Sequence, residues 1–79
     1  MSPTIFRVRG FRFFFFSREE TRMHVHVICD NGEAKFWMEP TVKLASNCRL
    51  SSARINEAHR IIEERSHEIK NAWKKHFGR

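Results

Sequence analysis

The chain has 79 residues, and its 15 Lys and Arg against nine Asp and Glu give a net charge of +6. A chain of this length forms one small domain with a modest core. Its longest aromatic run, residues 13–16, is far shorter than the ~20 apolar residues that span a bilayer, and residues 1–10 hold no signal-peptide core. Cys29 and Cys48 do not suggest a disulfide framework. We therefore expect a cytoplasmic protein with reduced thiols and no membrane anchor.

The first element is a hairpin that turns at Arg9-Gly10. Strand-forming residues dominate residues 4–8 and 11–16 on either side of this pair. A two-residue loop there places Phe6 opposite Phe13 and Val8 opposite Phe11, which gives one strongly apolar face. The reverse face is mixed and carries Ile5, Arg7, Arg12, Phe14 and Phe16.

A second hairpin is predicted from residues 24–29 and 33–38, which are joined by Asp30-Asn31-Gly32. Asn-Gly between alternating runs is a strong hairpin signal. With Asn31-Gly32 as the loop, His26 faces Trp37 and His24 faces Glu39. Because side chains alternate along a strand, one face is wholly apolar and the other is titratable. The apolar set is Val25, Val27, Cys29, Ala34, Phe36 and Met38, and the opposite set holds His24, His26, Ile28, Asp30, Glu33, Lys35, Trp37 and Glu39.

The last third of the chain predicts an amphipathic helix over residues 51–77. The segment before it, residues 40–50, is interpreted as a loop, with a short fifth strand or a helical turn as alternatives. Ser51 or Ser52 is a natural N-cap, and Gly78 can cap the C-terminal end. The apolar positions recur at three- and four-residue steps, although the stripe fades at Arg65-Ser66, where a kink or a break stays open. The predicted fold is α+β: a single domain over residues 1–79, with a four-stranded antiparallel sheet of two hairpins (residues 4–39) packed on one face by this C-terminal helix.

Four segments of the chain form a pattern that is specific in combination: Pro3-Thr4-Ile5-Phe6-Arg7, Gly10-Phe11-Arg12-Phe13-Phe14-Phe15, His24-Val25-His26-Val27 and Gly32-Glu33-Ala34-Lys35-Phe36-Trp37. In these segments the chain resembles a small bacterial family, domain of unknown function 4160. The resemblance implies an intracellular module whose gene lies beside that of another small protein, in an arrangement like a toxin–antitoxin pair. It implies a protein partner and assigns no catalytic residue.

The leading interpretation is a binding module without a cofactor, whose mixed sheet face contacts a partner protein encoded nearby or a second copy of the chain. Trp, Phe and Arg are enriched at interface cores and hot spots. The basic charge also makes nucleic acid a candidate ligand. The predicted binding surface consists of Arg7, Arg12, Phe14, Phe16, His26, Lys35 and Trp37.

Two alternatives use the histidine pair chemically. A metal-independent ribonuclease would use His24 and His26 as general base and acid, while Lys35 stabilises the charge of the transition state together with Arg7 or Arg12. A metal site would take both imidazoles and a third ligand from Glu39 or Glu20, but Cys29 points to the other face and no metal is predicted. The helical histidines His59, His67 and His76 are expected to have no chemical role.

Overall fold

The computed structural model describes residues 4–16 and 22–78. Its described part is α+β, as predicted, with one five-stranded antiparallel sheet in the order β1-β2-β3-β4-β5 and two helices. The sequence predicts one strand and one helix fewer. The elements are β1 Thr4–Val8, β2 Phe11–Phe14, β3 His24–Cys29, β4 Gly32–Trp37, β5 Lys43–Cys48, α1 Ser52–Glu64 and α2 Ser66–Phe77.

The first hairpin confirms its predicted register. Phe6 pairs with Phe13 and Val8 with Phe11. Arg9 and Gly10 both have positive φ, at 52° and 84°, which is what the central residues of a type I′ turn require. Between Thr4 and Phe6 the register shifts at a bulge.

The predicted register of the second hairpin is wrong by two residues, because the loop is Asp30-Asn31 and Gly32 already belongs to β4. Trp37 pairs with His24, and Lys35 with His26. Asp30 takes the positive φ of 54°, a conformation that Asp tolerates better than most residues. A shift by two keeps every side chain on its predicted face, since the period of a strand is two.

Gly32 is needed for close packing. A Cβ atom there would lie 2.9 Å from the backbone of both Cys48 and Arg49.

The prediction of a loop at residues 40–50 is wrong, because Lys43–Cys48 form an edge strand on β4. All six residues of β5 are exposed. Its sequence also has no alternation of apolar and polar residues that would mark it as a strand. A bulge lies at the point where Lys35 pairs with Ser46 but Phe36 pairs with Leu44. A cis peptide bond between Glu39 and Pro40 precedes the strand.

The single helix predicted for residues 51–77 is divided at Arg65, whose φ of −115° and ψ of 24° interrupt the helical backbone. The N-cap is Ser51, whose hydroxyl accepts a hydrogen bond from the backbone N–H of Arg54 at 3.2 Å. Gly78 caps α2 in the left-handed conformation. The guanidinium of Arg65 lies 3.8 Å from the ring centroid of Phe6 and pairs with Glu68.

Both helices pack on the same face of the sheet. The largest fully buried side chains there include Phe11, Phe13, Phe36, Ile62 and Ile69. The core cluster joins strand residues of this one face to α1 and α2, and includes Val25, Val27, Cys29, Ala34, Ala58, Ile61 and Trp73. Neither described helix has the length and apolar character needed to cross a membrane.

The open face of the sheet as candidate binding surface

The sheet face opposite the core cluster is called here the open face; α2 reaches one end of it, where Trp73 contacts His24. Strand register arranges its side chains in three rows that cross the strands. The first row lies at the hairpin-turn end of β1–β2, the second crosses the middle, and the third lies where β3 begins. These rows are Arg7, Arg12, Ile28, Glu33 and Cys48; then Thr4, Phe14, His26, Lys35 and Ser46; then His24, Trp37 and Lys43.

The centre of the open face is an aromatic cluster formed by Phe14, Phe16 and His26. The imidazole of His26 stacks on Phe14 at 5.5 Å between ring centroids and meets Phe16 edge-on at 4.4 Å. Phe14 is only 3% exposed and His26 9%, whereas Phe16 is 42% exposed. Phe16 is therefore the one ring of these three that offers substantial surface to a partner.

His24 is fully buried, although it lies beside this cluster. Its Nδ1 lies 2.7 Å from the carbonyl oxygen of Arg22. A carbonyl oxygen only accepts, so Nδ1 carries the proton and donates it to this bond. The ring meets Trp37 at 5.7 Å and Trp73 of α2 at 5.2 Å. His24 thus ties the start of β3 to both tryptophans.

Cationic side chains pack on the ring of Trp37 at this end of the open face. The guanidinium of Arg22 lies 4.1 Å from the indole centroid, and the Nζ of Lys35 lies 4.4 Å from it. Arg22 also donates to the carbonyl oxygen of Glu39 at 3.2 Å, and Lys43 pairs with Trp37 across β4 and β5. A partly exposed indole with two cations over its ring and a third cationic residue in the paired position of β5 is suited to contact with an anionic surface.

The opposite end of the open face holds a depression of about 400 Å³, which extends around the β1–β2 turn. Arg7 and Arg12 face each other there directly across the two strands. Arg12 is positioned by the Oγ1 of Thr4, to which its Nε donates at 2.7 Å, and by the ring of Phe14, 4.6 Å from its guanidinium carbon. Ile28 and Asp30 also line the depression, which reaches past the strand ends to Val8, Phe11 and Cys29 of the covered face.

All seven residues of the predicted binding surface lie on or beside the open face, which brings together Arg7, Arg12, Phe14, Phe16, His26, Lys35 and Trp37. Two of them, Phe14 and His26, are buried and support the surface from within. Sequence reasoning did not include Arg22 and Lys43. Arg22 precedes its strand, and Lys43 belongs to the strand that lacks an apolar pattern.

The geometry also bears on the chemical alternatives. Of the three residues predicted for a ribonuclease, His26 and Lys35 form a cross-strand pair, but His24 is enclosed. Glu39 is not opposite His24, since Trp37 takes that place, and Glu20 lies outside the described residues. Within residues 4–16 and 22–78, no three His, Cys, Asp or Glu side chains come together in a group that could hold a metal ion.

Two of the helical histidines have packing contacts. His59 stacks on Phe36 with an interplanar angle of 8°, and its Nε2 lies 3.2 Å from the carbonyl oxygen of Val42. His76 stacks on Phe15 at 6.1 Å. The third, His67, is exposed.

Comparison with protein-family models assigns most of the chain to one family. The model described as Domain of unknown function (DUF4160) matches residues 10–74. The chain belongs to this family. The match runs from the β1–β2 turn of this DUF4160 protein into α2, so it includes four of the five strands of the open face. No curated protein and no solved structure matches the chain.

Proposed function

We propose that this DUF4160 protein is a binding module that acts by contact, as one member of a two-component, toxin–antitoxin-like pair. Its partner is the protein encoded nearby, and the docking surface is the open face. The observation that supports this most is the partly exposed indole of Trp37, which carries the cations of Arg22 and Lys35 over its ring.

The chemistry of the Trp37 end fits the centre of a protein interface. Binding hot spots are enriched in Trp and Arg that enter well-packed, desolvated positions. Trp37 packs edge-on against the buried ring of its cross-strand neighbour His24, so little conformational freedom is lost when a partner covers it. Pre-organised anchors of this kind reduce the entropic cost of association.

Charge favours an acidic partner surface. Arg22 and Lys43 are both exposed and flank Trp37, and the chain as a whole carries a net charge of +6. Complementary potentials accelerate the encounter of two proteins and disfavour partners of the same sign. Glu33 is the acidic member of the three rows, and it lies two residues from Lys35 toward the other end of the sheet.

The burial of His24 supports a function by binding over the ribonuclease alternative. A general base must come within about 3 Å of the proton it removes, directly or through one water. His24 has no exposed surface, and its Nδ1 already donates to the carbonyl oxygen of Arg22. Substrate could reach this imidazole of β3 only if the side chains that enclose it, including that of Trp37, moved away.

The test is co-expression of the chain with the neighbouring gene product, followed by co-purification and measurement of the dissociation constant. We expect a stable complex that Trp37→Ala weakens by ~30-fold or more, as the loss of a 2 kcal/mol hot spot requires. The exposed residue Lys74 on α2 provides the control, since Lys74→Ala should leave the constant unchanged. A chain that stays monomeric and forms no complex contradicts the proposal, and a homodimer lost in Trp37→Ala would replace the partner protein by a second copy.

A further inference from the structure

The outer surface of α2 is strongly basic. One side of this helix is buried in the core through Ile69 and Trp73. The positions outside this buried side are polar or charged. Five of them follow one another along the outside of the helix and are called here the α2 strip. The strip consists of His67, Lys70, Asn71, Lys74 and Lys75.

The positive charge of the α2 strip is not compensated by a carboxylate in the part of the chain that the structure describes. Glu68 is the acidic residue of α2, and both of its carboxylate oxygens accept from the guanidinium of Arg65, at 3.0 Å each. No ion pair joins Lys70, Lys74 or Lys75 to a described carboxylate. Two of these lysines are exposed and Lys70 is half-buried, and a lysine stem keeps its ammonium group in water.

The stability of the helix explains only part of this charge. Lys74 and Lys75 lie in the last turn, where cations stabilise the C-terminal end of the helix dipole. Lys70 is about two turns before the end of α2 at Phe77, beyond the reach of this effect. It precedes Lys74 by four residues, a spacing of ~5–6 Å at which like charges destabilise a helix. An anionic ligand that contacts both ammonium groups would turn this repulsion into attraction.

A nucleic acid matches the α2 strip better than a membrane surface or an acidic protein. An amphipathic helix that binds a membrane inserts its apolar face, and in α2 that face is buried, with Ile69 0% and Trp73 2% exposed. Protein interfaces are depleted in lysine and enriched in aromatic residues and arginine, which the strip lacks. Lysine contacts to phosphates, in contrast, supply most of the affinity of sequence-independent nucleic-acid binding.

A duplex is favoured over a single strand. Single-strand sites combine positive charge with aromatic rings on which the bases stack, and the α2 strip has no Phe, Tyr or Trp. An α-helix is ~10–12 Å in diameter, which matches the ~12 Å width of the major groove of B-DNA. From His67 to Lys75 the helix advances ~12 Å, so the lysines are close enough together to reach the phosphates at one groove.

From these observations we infer that the α2 strip binds the phosphate backbone of duplex DNA through Lys70, Lys74 and Lys75, without recognition of the base sequence. The inference concerns the chain alone. It depends neither on the partner protein nor on the Trp37 end of the open face.

The test measures fluorescence anisotropy of a short labelled DNA duplex of mixed sequence with the purified chain over a series of salt concentrations. Each phosphate contact on B-DNA contributes about −0.9 to the slope of log K against log salt, so three lysines predict about −2.7. Lys74→Ala should make the slope shallower by about 0.9 and weaken binding by ~10-fold at ~50 mM salt. Lys74→Arg should keep both values, because the charge makes the contact.

Arg60→Ala is the matched control, since Arg60 is an exposed cation of α1 outside the strip, and it should leave the slope unchanged. Circular dichroism verifies the fold of each variant. Lys74→Ala should weaken DNA binding and leave the affinity for the partner protein unchanged, so the failure of either proposal leaves the other intact.

Three results would overturn the inference: no binding of the duplex at low salt, a slope that Arg60→Ala reduces as much as Lys74→Ala, or tighter binding of a single strand of the same length. Binding to vesicles that contain phosphatidylserine, lost in Lys74→Ala and without any binding of DNA, would replace the nucleic acid by a membrane surface.

Discussion

Phe13 and Phe14 of β2 lie on opposite faces of the sheet, and both are buried, but by different means. On the covered face, Phe13 is enclosed by a contiguous apolar core beneath α1 and α2. On the open face, Phe14 is nearly as buried, yet the rings around it are those of Phe16 and His26, and the guanidinium of Arg12 lies over it.

The difference between the faces shows how a small domain can display charge on a rigid support. A core of apolar side chains gains stability by removing surface from water. The rings of the open face instead carry cations, with Arg12 on Phe14 and both Arg22 and Lys35 on Trp37. These charges are held in place by the rings beneath them and are presented to a ligand already ordered.

The largest effects are expected where the two faces are compared directly, with Phe13→Ala and Phe14→Ala. Phe13→Ala should cost ~3–5 kcal/mol, since its cavity lies among packed neighbours that relax little. A domain of this length has a total stability of only ~4–12 kcal/mol, so this variant should unfold readily in urea. Phe14→Ala should cost ~2–3 kcal/mol, because the side chains around it can collapse into the space.

Urea denaturation followed by circular dichroism measures both variants, with Phe16→Ala as a control for a largely exposed ring on the open face. Equal losses for Phe13→Ala and Phe14→Ala would contradict the distinction between a packed core and a self-supporting surface layer.

For the second hairpin, the sequence predicts which residues share a face of the sheet, but not which residues pair across the two strands. The alternation of residues 24–29 assigns His24 and His26 to one face whatever the loop, and the structure keeps them there. The register depended on which residue of Asp30-Asn31-Gly32 takes positive φ, and three turn-forming residues in a row leave that choice open. The first hairpin offered only Arg9-Gly10 and was predicted correctly.

The remaining differences arise from contacts that leave no local signal. The strand β5 exists because β4 provides a partner for its backbone, while its own six side chains stay exposed. The division at Arg65 coincides with its contact with Phe6, a residue of β1 far away in the sequence. The candidate surface was predictable from strand parity, but the burial of His24 depends on Trp73 of α2, which no strand pattern could indicate.

The histidine pair gives an intermediate effect on stability. His24→Ala should cost ~2–3 kcal/mol, since it removes a fully buried ring and leaves the carbonyl oxygen of Arg22 without the imidazole donor. His26→Ala should cost less, ~1–2 kcal/mol, because this ring retains some exposure and packs against the partly exposed Phe16.

The same two variants also test contact against catalysis. Under the proposed contact function, neither variant should change an RNA-cleavage rate measured at equal concentration of folded protein. RNA cleavage by the parent chain that disappears in both folded variants would contradict the contact function and favour the ribonuclease alternative.

The smallest effect is expected at Ser51, the N-cap of α1, which is one of the two helices on the covered face. Ser51→Ala removes the hydroxyl that accepts from the N–H of Arg54 and should cost ~1 kcal/mol, a fall of ~4–8 °C in Tm for a domain of this size. The neighbour Ser52 is exposed and begins the helix without being the cap, so Ser52→Ala should change stability by less than ~0.5 kcal/mol. Because the hydroxyl of Ser51 bonds within the first turn of α1, Ser51→Ala should leave binding of the partner protein unchanged below the transition. Weakened binding in a fully folded Ser51→Ala chain would show that the two faces are energetically coupled, contrary to the separation described above.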